Sequence, residues 1–94
     1  MRFDLGNTVI TPGSLAAMST LGESPSVHLA RHANGDWGVI SSEDRELNDQ
    51  ALRDGGRLLS VFRLNDGTKI WIITEAIGDN GRREATTILL PDEY

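Results

Sequence analysis

The sequence predicts an α+β domain, three short N-terminal helices packed on a three-stranded antiparallel β-meander, and three observations carry that expectation. Leu58–Leu64 and Lys69–Glu75 are runs rich in β-branched and aromatic residues on either side of Asn65-Asp66-Gly67, a turn in which Gly67 supplies the positive φ of a tight hairpin. Ala85–Leu90 is a further run of this kind, entered through Gly78-Asp79-Asn80-Gly81 and stopped by Pro91, which cannot donate to a ladder. Upstream of Arg57, three segments carry helix-start residues at one end and helix breakers at the other.

Thr8-Val9-Ile10 is a short β-like run, available as a fourth, edge strand. Thr11 then reads as an N-cap with Pro12 in the first helical position, opening a helix to about Thr20 that Gly22 ends. Leu15, Ala16 and Met18 give it a small apolar face. Ser24-Pro25 repeats the start signal for a second helix through Val27, Leu29, Ala30 and Ala33, broken at Asn34-Gly35. The glycine-bracketed loop Gly35-Asp36-Trp37-Gly38 follows. The third helix is the best specified: Ser41 or Ser42 caps it, Glu43 and Asp44 suit its positive first turn, and Gly55-Gly56 terminates it. Leu47, Ala51 and Leu52 are read as its inward stripe. In the sheet, Leu58, Ser60, Phe62 and Leu64 alternate with Leu59, Val61 and Arg63, while Ile70, Ile72 and Thr74 alternate with Trp71, Ile73 and Glu75. Both faces are therefore partly apolar, and three short helices suffice for one. The face around Trp71, Ile73 and Val61 is expected to meet a partner or a second copy of the chain.

A chain of 94 residues is one domain, residues 1–94. It has no cysteine, which excludes disulfides and thiolate metal sites and points to a reducing cytoplasm. The first ten residues lack the apolar core of a secretory signal, and no segment approaches the roughly 20 apolar residues of a membrane span. The net charge of −5 argues against unaided binding to a phosphate backbone, which relies on Lys and Arg. It suits an ordinary soluble protein, or one that docks on a basic, nucleic-acid-binding partner. Acids cluster at Glu43, Asp44, Glu46, Asp49 and Asp54, with Arg45 and Arg53 interspersed.

Two imidazoles, His28 and His32, are spaced i, i+4 on the second helix, a separation that can share a metal. The intervening Leu29-Ala30-Arg31 lacks the glutamate of the zinc-protease motif, so semi-exposed structural histidines are the expectation, with no metal and no cofactor. Small helices on an antiparallel sheet are also the plan of barnase-like and RelE-like ribonucleases. In that alternative His28, His32 or Glu75 would be acid or base, and Arg57, Arg63, Lys69 or Arg83 would hold phosphate. Glu75 reads more simply as a strand carboxylate opposite Arg63 or Arg83. Trp37 reads as a core anchor or a contact residue.

Arg31-His32-Ala33-Asn34-Gly35-Asp36-Trp37-Gly38, Asn48-Asp49-Gln50-Ala51-Leu52, Gly56-Arg57-Leu58-Leu59-Ser60, Trp71-Ile72-Ile73-Thr74-Glu75-Ala76 and Thr86-Thr87-Ile88-Leu89-Leu90-Pro91 together span most of the chain. In this combination the chain resembles a family of small, uncharacterised bacterial proteins labelled plasmid-related and found on mobile elements. The resemblance implies no activity and no catalytic residue. One departure is the Ala76–Ala85 connection, longer than the tight turn of that family. The company of mobile elements implies interference with host defence, since anti-CRISPR proteins are similar in size and charge. The expected contact residues are then Glu43, Asp44, Glu46 and Asp49, with Trp37 and Trp71 as apolar anchors. The ribonuclease or toxin and a non-catalytic regulatory homodimer are the alternatives.

Overall fold

The computed structural model describes residues 1–94. The chain runs β1 (Asn7–Ile10), α1 (Pro12–Leu21), α2 (Pro25–Ala33), α3 (Ser42–Asp54), β2 (Leu58–Arg63), β3 (Lys69–Thr74) and β4 (Ala85–Leu89), followed by a 3-10 turn at Pro91–Glu93. The α+β class is as predicted, and the helix boundaries follow their caps. Thr11 Oγ1 accepts from the Ser14 N–H, Ser41 Oγ accepts from the Asp44 N–H at 3.0 Å, and Gly22 and Gly55 close α1 and α3 in the left-handed conformation. At α2 the Ser24 hydroxyl makes no cap bond and pairs with the Ser26 hydroxyl instead.

Two parts of the predicted architecture are corrected. The sheet is mixed, in the order β1-β4-β3-β2, with β1 parallel to β4 and the other pairs antiparallel. The helices are not an N-terminal cap: they lie between β1 and β2. The physical reason is connectivity. Thr11-Pro12 turns β1 straight into a helix, so β1 has no hairpin partner, and parallel strands need a long crossover that α1–α3 provide.

The helices cover one sheet face. There Phe62, Leu64, Ile70, Ile72 and Ile88 pack with Met18 of α1, flanked by Ile10, Leu21 and Leu29. A second cluster joins Trp37, Ala51 and Leu58, with Phe3, Ile40 and Leu52 against it. Each large side chain so buried contributes roughly 1.5–3 kcal/mol.

The opposite, outer face has no helix. Val61, Ile73 and Leu89 are nevertheless buried on it, and the chain's own C-terminal turn lies over part of this face. Tyr94 sits 5.5 Å from the Trp71 ring, with the Arg57 guanidinium over Tyr94 at 5.6 Å. The Glu93 carboxylate holds the turn in place by accepting from the Leu90 and Gly13 N–H groups and the Thr11 hydroxyl. These bonds hold its pKa below the ordinary glutamate value.

The β2 edge is sealed by two devices. Val61 exchanges backbone bonds with Trp37 and Val39, its N–H donating to the Trp37 carbonyl at 3.0 Å and its carbonyl accepting from the Val39 N–H at 2.7 Å. Beside it, the Asn48 amide donates to the Leu59 carbonyl at 2.6 Å and accepts from the Leu59 N–H at 3.1 Å, in the manner of a neighbouring strand. This corrects the reading of α3. Asn48 and Ala51 face the sheet, whereas Leu47 is 63% exposed.

Gly38 makes the close approach possible. Its φ is +74°, and a Cβ there would lie 2.0 Å from the Val61 carbonyl oxygen. Gly38→Ala is therefore expected to lower the urea-unfolding free energy by more than about 2 kcal/mol, because left-handed strain and a backbone clash add. Gly22→Ala, at φ +67° but with open space, is expected to cost about 1 kcal/mol. Equal losses at the two sites would contradict a rigid seal.

Candidate functional site

The two histidines are buried rather than semi-exposed. His32, fully buried on α2, reaches across the sheet: Nδ1 lies 2.5 Å from Ser60 Oγ on β2, and Nε2 lies 2.8 Å from Thr74 Oγ1 on β3. Thr74 Oγ1 is 2.7 Å from Thr86 Oγ1 on β4, and the Thr86 hydroxyl donates to the Leu5 carbonyl at 2.7 Å. Each hydroxyl has one proton, so the direction of the chain is fixed. Thr86 spends its proton on Leu5, Thr74 donates to Thr86, and Nε2–H donates to Thr74. Burial lowers the ring's pKa from 6.5 to about 4. At neutral pH Nδ1 therefore carries a lone pair, which accepts from Ser60, and the ring is a single tautomer.

His28 points elsewhere. Its Nε2 is 3.2 Å from Glu23 Oε1, its ring packs 5.6 Å from Phe62, and Nδ1 is buried without a partner. Both nitrogens of His32 are already engaged, so the two imidazoles do not share a metal.

The residues of the ribonuclease alternative are brought together only in part. His28 and His32 lie on the helix-covered side of the sheet. Arg57 and Glu75 line a depression of about 150 Å³ on the outer face with Ile73, Thr87, Leu89 and Tyr94. The sheet separates both histidines from Arg57 and leaves only Glu75 beside it. Arg63 is paired in register with Lys69, not with Glu75. Arg83 is 7% exposed and serves the fold: its guanidinium donates to the backbone carbonyls of Gly56, Glu75 and Ala51, closing the C-terminal end of α3. Burial lowers its pKa, and nearby Asp54 opposes that shift.

The expected contact residues also divide. Trp37 is 2% exposed within the second core cluster, its ring 5.7 Å from His32 and 6.1 Å from Phe3, so it offers no surface to a partner. Trp71 is half-buried on the outer face, across the sheet from α3. Glu43, Asp44, Glu46 and Asp49 remain together and exposed on α3. None of them forms an ion pair, since the chain's pairings are Arg31–Asp36 and His28–Glu23. Helical spacing puts Glu43, Glu46 and Asp49 on the outward side with Leu47 among them. Leu47, which hydrophobicity alone assigned to the core, is exposed; the amide of Asn48, next in sequence, was the signal that the stripe is shifted.

α3 is rigidly mounted. The Asn48 amide fastens its middle to β2, Arg83 its last turn to β3 and the loop before β2, and Ser41 and Gly55 its ends. A larger groove, about 570 Å³, lies between the N-terminal segment and Arg82–Arg83. No helix is long and apolar enough to cross a membrane. No protein-family model matches the chain, nor does any curated protein or solved structure.

The buried ring makes stability depend on pH in a defined sense. The unfolded chain binds a proton at His32 near pH 6.5, but the folded chain does not until about 4, so stability falls as pH drops through that window. The full effect is about 3 kcal/mol. Urea unfolding at pH 7.0 and 4.5 is expected to differ by about 2–3 kcal/mol, with the slope flattened in His32→Asn, itself destabilised at pH 7. A wild-type stability flat across that interval would contradict a neutral buried ring.

Proposed function

We propose that this chain acts by binding a protein, and that its contact surface is the acidic exposed surface of α3, with Glu43, Glu46 and Asp49 on its outward side and Asp44 in its first turn engaging a basic, nucleic-acid-binding partner. The observation that carries this reading is that four exposed carboxylates, none in an ion pair, sit on a helix whose ends and middle are fixed by other parts of the fold. A helix already held in place loses little freedom on binding, so its charges act with less entropic cost than the same charges on a loop. Leu47 supplies an apolar contact among them. The complementary surface is a Lys- and Arg-lined channel of the kind that holds a guide or target strand. The role that fits is interference with a host defence effector, as anti-CRISPR proteins do.

Affinity capture tests this directly. The tagged chain is incubated with lysate carrying CRISPR effector complexes, washed at high salt and treated with nuclease. A defined effector subunit is expected to be retained. Replacing Glu43, Asp44, Glu46 and Asp49 by Lys is expected to lower that affinity at least about a hundredfold, with a Tm within about 5 °C of wild type, because the four side chains are solvated. Undiminished capture by the charge-reversed chain would remove α3 from the reading.

A further inference from the structure

The two edges of the sheet are treated differently. At β2 the backbone is paired by Trp37–Val39 and by the Asn48 amide. At β1 the outer edge is bare. The β1–β4 ladder begins with the Asn7 N–H on the Glu84 carbonyl at 2.9 Å and ends with the Thr11 N–H on the Ile88 carbonyl at 3.0 Å. Backbone direction alternates along a strand, so Asn7, Val9 and Thr11 face β4 while Thr8 and Ile10 point their N–H and C=O groups away from the sheet. Natural edges are guarded by shortness, charge, proline, a bulge or a covering element, and of these β1 has only its length of four residues. Asn7-Thr8-Val9-Ile10 contains neither charge nor proline, and Val9 is 49% exposed on the outer face.

The geometry points to a second copy of this chain as the occupant of that edge, with β1 pairing antiparallel to its own counterpart about a two-fold axis at Val9. The argument is self-complementarity. In this register Thr8 of each chain stands opposite Ile10 of the other, and the two residues exchange both backbone bonds. Four hydrogen bonds form, and every outward group of Thr8 and Ile10 is paired. Val9 meets its symmetry mate in a non-hydrogen-bonded pair, the type in which side chains approach most closely, and its exposed surface is covered. The groove of about 570 Å³ begins at Thr8 and continues past Gly6 and Leu5. That is where residues Thr11 and Pro12 of the second copy arrive, opposite Asn7 and Gly6. The result is a continuous eight-stranded sheet with isologous contacts, the commonest oligomeric symmetry. This inference does not depend on the reading of α3. That helix lies beside β2, at the far edge, and is left free on both copies.

The absence of native cysteine makes a register test clean. Cα atoms of a non-hydrogen-bonded antiparallel pair are about 4.5 Å apart, within disulfide range. At about 100 µM under copper–phenanthroline oxidation, Val9→Cys chains are expected to form a covalent dimer at least tenfold faster than Asp66→Cys chains, whose thiol sits in the β2–β3 turn. Thr8→Pro deletes an outward N–H that the fold does not use, at an edge position where proline is tolerated. By analytical ultracentrifugation it is expected to weaken dimerisation at least tenfold with an unchanged circular dichroism spectrum. Equal cross-linking rates for Val9→Cys and Asp66→Cys, or a wild-type chain monomeric at that concentration, would overturn the proposal. So would a Thr8→Pro chain that is folded and dimerises as wild type.

Discussion

His32 is where the layers of this molecule are tied to one another. Its imidazole leaves α2 and reaches both β2 and β3, and the hydroxyls of Thr74 and Thr86 carry the connection to β4 and the N-terminal segment at Leu5. Every donor in that run is used once, and the run has one direction. A buried polar network of this kind stabilises only when complete, since each hydroxyl stranded without a partner costs about 1–3 kcal/mol. The ring also packs edge-on to Phe3 and Trp37, at 5.2 and 5.7 Å. One side chain thereby sets the position of α2 and of the Trp37 loop relative to the sheet.

The rest of the architecture follows from that placement. With α2 and Trp37 fixed, Gly38 brings the loop against Val61 and seals the β2 edge. α3 then rests on Ala51 and Leu58 beside Trp37, and its Asn48 amide completes the seal at Leu59. Arg83 reaches from the segment before β4 to the end of α3, and Glu93 ties the C-terminal turn to the start of α1. His32, Asn48, Arg83 and Glu93 are spent on holding segments together. The free surfaces include the acidic exposed surface of α3 and the bare edge of β1, at opposite edges of the sheet. Both are surfaces suited to protein contact.

The parts of this fold that sequence makes legible are those governed by neighbours in the chain. Asn65-Asp66-Gly67 sets the hairpin, Thr11-Pro12 and Ser24-Pro25 start helices, and Gly22 and Gly55 stop them, each through local backbone preference. The pairing of β1 was illegible because it depends on which edge of the meander lies beside a strand 78 residues earlier, Asn7 pairing with Ala85. Asn48 is absent from the inward stripe that apolar spacing gives α3 for a related reason. A polar residue faces inward only when its partner, here the Leu59 backbone, is supplied by another element. His28 and His32 drew notice for metal-like spacing, yet Ser60 and Thr74 decide what His32 does, and neither carries a recognisable motif. Of the candidate site, the four acids of α3 were legible because surface charge needs no partner to be read. Leu47 was not, because apolar character alone suggests burial.

Nitrogen-detected NMR of the His32 ring at pH 6 is the most direct test of this account. The directed hydrogen-bond chain requires a protonated Nε2 and an unprotonated Nδ1, and it requires this state to persist well below pH 6.5, where an exposed imidazole would already be charged. A single neutral Nε2–H tautomer, with a slowly exchanging proton, is the predicted result. An imidazolium at pH 6, or a ring protonated at Nδ1, would contradict the idea that this relay holds the helices to the sheet.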